Sequence, residues 1–262
     1  MISFTTSQLN AWIVAFIYPV ARILAFSASA PFLNNAGLPK KLRLTLGLAL
    51  TIAIAPSLPP MPNIVPTSGP GLWILAQQIL IGVGMGFSMR LVFAGIELSG
   101  QLAGNQMGLG FATFYDPLST SQTVVIANFS TMIATLLFLS LNGHLVYFAT
   151  LAESFHAIPV SLTPVSAEGW RLLALTGQKI FTIGVILSLP VVTVLLITNL
   201  ALGVLTKAAP QLNLFAVGFP ITLAVGFFTF MLSFSYMAIP LERFFNEGMS
   251  TMLEFALSTI RH

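Results

Sequence analysis

The chain has 262 residues, of which 56% are hydrophobic and only 6% are charged, against about 25% charged residues in soluble globular domains. This composition excludes an ordinary soluble domain and predicts a polytopic membrane protein. The absence of cysteine excludes disulfides, thiolate metal sites and cysteine nucleophiles. The formal charge of +3 is too small and too scattered for a nucleic-acid-binding protein, and it fits an excess of Lys and Arg at cytoplasmic membrane borders.

The first apolar segment, residues 12–33, is interrupted by Arg22. A central arginine costs about 2.5–3.5 kcal/mol on insertion scales, so we expect it to face protein or water rather than lipid. No basic stretch precedes the segment, which argues against a cleavable signal peptide and predicts that it stays in the mature protein. The following loop, residues 34–43, carries three basic residues within its last four positions and is the best cytoplasmic marker in the chain.

The middle of the chain alternates apolar segments with helix-breaking ones. Residues 44–55 are apolar but only 12 residues long, so this segment is either a half-span or a span that begins below the interface. Six of the 16 prolines fall within 56–70, which predicts a loop on the opposite side of the membrane. Helices are predicted over 72–96 and 124–141, and a polar connector over 153–171. With the two segments described next, the pattern predicts six alternating spans.

Between Lys179 and Glu242 the chain carries a single charge, Lys207. Its flanks, residues 180–206 and 208–241, are each long enough to cross a bilayer. Pro210, Gln211 and Asn213 lie just after the lysine and break the helix. The C-terminal third is therefore predicted to be two long apolar helices folded back at a polar hinge.

Beyond Pro240 an amphipathic tail is predicted, lying on a surface or against a partner. It places apolar residues at helical spacing on the face opposite Glu247 and Glu254. The apolar positions are Phe245, Met249, Met252 and Ala256.

Eight of the 20 glycines lie within residues 82–110, and Gly100, Gly104 and Gly108 form consecutive GxxxG steps. In a membrane helix this spacing allows another backbone to approach closely. Two interpretations stay open: helix packing within the subunit, or a flexible element lining a central passage. The next residues favour the second interpretation, because they are too polar and too kinked for a lipid-facing helix; they are Gly110, Phe111, Phe114, Tyr115, Asp116 and Pro117.

No constellation for catalysis stands out. Asp116 is the only aspartate, which excludes an aspartyl dyad within this subunit, and the three histidines (His144, His156, His262) lack metal-ligand spacing. Glu97 follows Arg90 by two helical turns, and a structural ion pair between them is favoured over a proton relay. The sequence predicts a pore, packing or scaffold protein, not an enzyme, with no cofactor or metal.

Three strings carry a family resemblance: FLNNAGLPKKLRLTLGLAL (32–50), GQLAGNQMGLGFATFYDP (100–117) and TKAAPQLNLFAVGFPI (206–221). In order and spacing they resemble the FliR family, the export-gate subunits of flagellar type III secretion, akin to the SctT subunits of injectisomes. The resemblance implies an all-α, multi-pass protein of the bacterial inner membrane and flagellar basal body. It also implies assembly with several FliP and FliQ subunits into a helical, closed export gate for unfolded flagellar proteins.

The resemblance further implies a FliP-like portion over 1–178 and a FliQ-like hairpin with its tail over 179–262. It places a pore-sealing loop at the glycine-rich string and an assembly surface on the hairpin. The loop residues are Gly108, Gly110, Phe111, Phe114, Tyr115, Asp116 and Pro117; the packing residues are Gly100 and Gly104; the hinge and assembly residues are Lys207, Pro210, Gln211, Asn213, Gly218 and Pro220.

Three other functions remain as alternatives. A small-molecule permease or secondary transporter would predict inverted repeats around a mid-membrane site, and the two halves show no repeat. A lipid-modifying enzyme would need a catalytic constellation. The equivalent injectisome subunit would share most of the same motifs.

Overall fold

The computed structural model describes residues 6–33, 39–111, 125–211 and 214–259. Throughout these ranges the regular structure is helical and no strand occurs, which confirms the predicted all-α fold. Two short 3-10 turns, Ala55–Ser57 and Leu109–Phe111, accompany the α-helices. The helices are α1 Thr6–Ser29, α2 Lys40–Ile54, α3 Gly69–Gln106, α4 Val125–Ser140, α5 Gly143–Ala157, α6 Ala167–Thr176, α7 Lys179–Ala208 and α8 Leu214–Ser258.

The expected count of six spans is too high. Within the described ranges, four segments are long and apolar enough to cross a membrane, and α4 with α5 makes a fifth if this pair, bent by 71°, is one broken span. The expected and observed counts differ at α2. Its 15 residues rise about 22 Å along the helix axis, which is less than the thickness of a hydrocarbon core, about 30 Å. The four segments are Trp12–Ser29, Gly69–Gln106, Ala167–Ala208 and Ala216–Ser258.

The chain divides into two compact units, and both α3 and α8 contribute residues to each. The first unit comprises Met1–Leu91, Asn142–Gly177 and Asn246–His262; the second comprises Val92–Leu141 and Gln178–Phe245. One of these boundaries, at 177/178, lies next to the predicted boundary at 178/179. The assignment of a FliP-like and a FliQ-like portion stays a prediction.

In the first unit, glycines allow α1 and α3 to pack backbone against backbone. A Cβ atom added at Gly82 would collide with the carbonyl oxygen of Arg22, and one added at Gly86 would collide with the side chain of Ser29. The two glycines are four residues apart and lie on one face of α3, as the small-residue spacing of membrane helices requires. Any larger residue at either position would push α1 away.

Arg22 is fully buried and ties three helices together. Its Nε donates to Oε1 of Gln78 on α3 at 2.8 Å. Its Nη atoms donate to the carbonyl oxygens of Ser154 and Ile158, at 3.0 and 2.8 Å, at the C-terminal end of α5. The guanidinium also lies 4.1 Å from the ring centroid of Phe155. The negative end of a helix dipole favours a cation at this place, and the prediction that Arg22 faces protein or water is confirmed.

α2 packs beside α1 and is followed by an irregular proline-rich loop, residues 58–68. Gly47 faces the side chain of Leu24, so α2 accompanies the C-terminal part of α1. The hydroxyl of Tyr18 donates to the carbonyl oxygen of Ile64 at 3.0 Å. Because Tyr18 lies near the middle of the apolar segment of α1, non-helical backbone stands beside the middle of that segment.

The predicted tail is the C-terminal part of α8, and its apolar face packs on its own chain. Met252, Phe255 and Ala256 are fully buried, whereas Glu254 is exposed. The ring of Phe255 fills the space beside Gly84 and meets the ring of Trp170 at 5.4 Å between centroids. The amphipathic pattern is therefore confirmed. Within the first unit, the apolar side of the tail is covered by residues of the same chain.

The Arg22 site gives a stability prediction. Arg22→Met should lower the free energy of unfolding by at least about 1–3 kcal/mol, because buried acceptors lose their donor. Arg22→Lys should recover only part of this, since one ammonium cannot reach all the acceptors on the two neighbouring helices. Thermal unfolding of the detergent-solubilised protein measures the effect.

The matched control is Arg171→Met, which removes an exposed cation 3.8 Å from Glu168. Exposed pairs of this kind contribute about 0–1 kcal/mol, so stability should hardly change. Equal stability of Arg22→Met and the parent protein would show that the buried hydrogen bonds contribute nothing.

Candidate functional site

The glycine-rich string forms the end of α3 and a sharp exit from it. The N–H of Gly108 donates to the carbonyl oxygen of Asn105 at 3.0 Å. Gly108 has φ of 88°, in the left-handed region that glycine occupies without the steric cost of a Cβ atom. The chain then makes the short turn Leu109–Phe111. Gly108 thus ends the helix and redirects the backbone that follows.

Met107, directly before this exit, is held firmly in the second unit. It is fully buried and belongs to a cluster with Ala103, Ile126, Val191, Leu195 and Phe230. Its carbonyl oxygen accepts a hydrogen bond from Oγ1 of Thr222 at 3.3 Å. A Cβ atom added at Gly226 would lie 2.6 Å from Cγ of Met107, so Gly226 provides the space for the methionine. Met107, Thr222 and Gly226 form what we term the loop root.

The structure places only the beginning of the predicted pore loop. Gly108 and Gly110 follow the loop root, and an added Cβ atom at Gly110 would lie 3.4 Å from Oδ1 of Asn105. Phe111 ends the 3-10 turn, although its side chain is outside the described part. Phe114, Tyr115, Asp116 and Pro117 lie outside the described residues.

Gly100 lies against the backbone of α4. An added Cβ atom would collide with Cα of Ala127 and would lie 2.8 Å from its amide nitrogen. Gly104, one turn later, is also buried. Of the two interpretations of the GxxxG steps, this geometry agrees with helix packing within the subunit for Gly100, whereas Gly108 belongs to the loop.

The polar hinge separates two long helices that pack on the same cluster. α7 ends at Ala208, with exposed Lys207 in its last turn. The negative end of the helix dipole stabilises a cation at this position. Pro210 and Gln211 are exposed and non-helical, and Asn213 lies outside the described residues. Leu195 of α7 and Phe230 of α8 share the core cluster at similar distances along the chain from the hinge, as two antiparallel helices require.

The remaining hinge residues belong to the first turns of α8. Gly218 is buried within this chain, whereas Pro220 is exposed and lies inside the helix. The assignment of Gly218 and Pro220 to an assembly surface stays a prediction. Asn199, on α7, is exposed.

Arg90 and Glu97 lie too far apart along α3 to form the suggested ion pair. They are both exposed on α3, and seven residues of helix separate them by about 10 Å of rise. Glu97 instead accepts a hydrogen bond from Nε2 of Gln101 at 3.3 Å. Among the described residues no group of three His, Asp or Glu side chains is placed to hold a metal ion.

The loop root and the Arg22 site were not predicted as contacts. The sequence signals for them are weak: an arginine inside an apolar segment, and a methionine between two GxxxG glycines. The acceptors of Arg22 are mostly backbone carbonyl groups, which every residue carries. Thr222 and Gly226 lie more than a hundred residues after Met107 and have no motif that links them to it.

Comparison with known proteins gives a consistent assignment. The family described as bacterial export proteins, family 1, matches residues 13–248. The chain belongs to this family. It is 45% identical over 230 residues to the flagellar biosynthetic protein FliR of Pectobacterium carotovorum subsp. carotovorum, covering 87% of each chain.

More distant relatives carry the same name. Identity is 44% over 227 residues with the flagellar biosynthetic protein FliR of Escherichia coli strain K12, covering 86% of each chain. It is 26% over 241 residues with that of Bacillus subtilis strain 168, covering 91% of this chain and 93% of the relative. The resemblance to FliR is confirmed, and with it a place in flagellar biosynthesis and protein export.

The close contact of Gly100 with α4 gives a testable prediction. Gly100→Leu should destabilise the packing of α3 on α4, because added side-chain volume in a close-packed contact costs about 1–3 kcal/mol or more. Gly104→Leu should act in the same direction at its buried position. The yield of detergent-extracted protein and swarming motility measure the effect.

Gly69→Leu, at the start of the same helix, is the control. No atom lies within 4 Å of an added Cβ atom at this exposed helical glycine. It should leave yield and motility unchanged. A Gly100→Leu protein that is recovered and motile at the level of this control would mean that α3 and α4 are free to separate.

Proposed function

We propose that this protein is a core subunit of the flagellar type III export gate in the bacterial inner membrane. It forms, with FliP-like and FliQ-like subunits, a closed pore through which unfolded flagellar proteins pass. Its own role is structural: it supplies helices, a sealing loop and assembly surfaces, without catalysis or a cofactor. Other components of the export apparatus drive the transport.

The observation that carries the proposal is the family match over residues 13–248, which includes the glycine-rich string and the hinge. Relatives that share the name FliR cover this chain almost end to end. An export role therefore concerns the whole architecture and not an isolated motif.

The environment of α1 supports assembly with other subunits. Irregular backbone does not face lipid within the hydrocarbon core, because its polar groups would lack hydrogen bonds. The loop bound to Tyr18 stands beside the middle of the apolar segment of α1, and its residues Asn63 and Thr67 are exposed. Protein neighbours or water must therefore surround this part of the chain, which is expected inside a multi-subunit gate and not for a lone helix in lipid.

The hairpin of α7 and α8 supports the same arrangement. Its outer faces carry exposed large apolar side chains along most of their length, including Ile197, Leu200 and Phe228 at 63%, 73% and 63% exposure. Charges are absent between Lys179 and Glu242 except at Lys207. Such a surface offers area and shape, and small or polar positions such as Asn199 then determine which helix packs there.

The loop root supports a sealing role for the segment that follows it. Met107 is fixed by packing, whereas Gly108 changes the backbone direction directly afterwards. We propose that residues 106–118 form the plug of the closed pore, with Gly108 and Gly110 allowing it to move. Phe111, Phe114 and Tyr115 would block ions.

Deletion of residues 110–115 tests the plug. Cells that express the deletion variant should become leaky to small solutes and ions, because the passage loses its seal. The assembly should remain intact, since Met107 and its packing are unchanged. Membrane conductance of the purified complex, with co-purified partners quantified, measures both properties.

The control for the deletion is Gly69→Leu, which alters an exposed position at the opposite end of α3 from the loop. Its conductance should equal that of the parent complex. A correctly assembled deletion variant with unchanged conductance would refute the plug.

Site-specific crosslinking tests the assembly surface. A photoreactive residue at exposed Asn199 or Phe228 should capture a FliQ-like subunit in native membranes. A photoreactive residue at Gly218 should capture this same chain, because that position is buried within it. Capture of lipid alone at 199 and 228 would mean that the hairpin faces the bilayer, and the stacking model would fail.

A further inference from the structure

In the C-terminal part of α3, the exposed side chains lie on one side of the helix. Between residues 92 and 106 the exposed side chains are Glu97 and Asn105, and Gln101 between them is half-buried. The three are spaced four residues apart and therefore lie on one face of the helix. The other faces are covered by the second unit, with Phe93, Ile96 and Ala103 at most 4% exposed. We term Glu97, Gln101 and Asn105 the polar face.

The chemistry of this face is unusual for the longest buried helix of an apolar protein. It presents one carboxylate and two amides, and Gln101 donates to Glu97 at 3.3 Å. Side chains of this kind are disfavoured against lipid, and within membrane proteins they face protein partners or water-filled cavities. Each amide both donates and accepts hydrogen bonds, so the two amides can bind backbone groups of any polypeptide sequence.

The polar face ends where the loop begins. The carbonyl oxygen of Asn105 accepts from the N–H of Gly108, and the side-chain oxygen of Asn105 stands beside Gly110. The last residue of the face therefore contacts the first turn of the loop. A segment that seals a passage lies across it, so the helix face continuous with the root of that segment lies along the passage.

We propose that Glu97, Gln101 and Asn105 line the water-filled export passage next to the plug and contact the backbone of the unfolded polypeptide that moves through it. This inference rests on the proposed function and adds to it the side chains that meet the cargo. The amides provide weak, sequence-independent hydrogen bonds, and the carboxylate keeps this wall of the passage wet. A wall of this chemistry suits a transporter that must bind many sequences without holding any.

The absence of cysteine makes the test direct. Glu97→Cys, Gln101→Cys and Asn105→Cys are each introduced singly, and the assembled gate is treated in native membranes with two thiol reagents. One is a small charged methanethiosulfonate, and the other is a maleimide on a bulky polymer. Ile197→Cys, on the apolar outer face of the hairpin, is the control shielded from water by lipid or a neighbouring subunit, and Glu168→Cys, exposed on α6, is the water-facing control.

Cysteines in a passage should react with the small reagent as fast as Glu168→Cys does and should lose all labelling with the bulky one. Glu168→Cys should react with both reagents, and Ile197→Cys with neither. Labelling of the polar face by the bulky reagent would place it on the outer surface. No labelling by the small reagent would place it against lipid or a partner subunit, and either result overturns the proposal.

A second measurement concerns the cargo itself. A photoreactive residue at position 101 should crosslink to an export substrate that is stalled by a folded domain at its end, whereas one at position 197 should not. Crosslinking from 101 to a gate subunit alone, with the stalled substrate present, refutes contact with cargo. Failure of the proposed function would be recognised separately, because FliP-like and FliQ-like subunits would then be missing from the purified complex.

Discussion

The close approach of other helices to α3 is the constraint on which the structure depends. Four glycines along this helix, at positions 82, 86, 95 and 100, each stand where an added Cβ atom would collide with or crowd another helix. Between apolar helices in lipid there is little hydrophobic driving force, so packing at short range replaces it. The glycines are distributed along α3, two in each compact unit, so α3 provides close contacts for helices of both units.

Arg22 joins helices of the first unit through hydrogen bonds. A buried charge is stabilised when its hydrogen bonds are satisfied, and the acceptors here include neutral oxygens of Gln78, Ser154 and Ile158. Two of these are carbonyl groups at the end of a helix, where the dipole is negative. The arrangement joins three segments, the outer two 132 residues apart in sequence, at a single point without a carboxylate among those acceptors.

Composition and periodicity predicted the helical membrane fold, the break after Lys207 and the burial of Arg22, because each depends on local chemistry. The span count differs at α2, which was counted among the six spans although its apolar stretch was already short in the sequence; the helix has only 15 residues. The contacts of the loop root were beyond prediction, because Thr222 and Gly226 meet Met107 only through tertiary packing. The polar face was not predicted either, because the sequence does not show that Glu97 and Asn105 are the exposed side chains in this part of α3.

The packing of Met107 has a consequence for the proposed plug. Its side chain is enclosed by helices and its carbonyl oxygen accepts a hydrogen bond from Thr222. A displacement of the proposed plug would therefore begin at Gly108, directly after this fixed residue. Under the proposed function, α3, α7 and α8 keep their packing when the plug moves, so opening the pore requires no disassembly of this subunit.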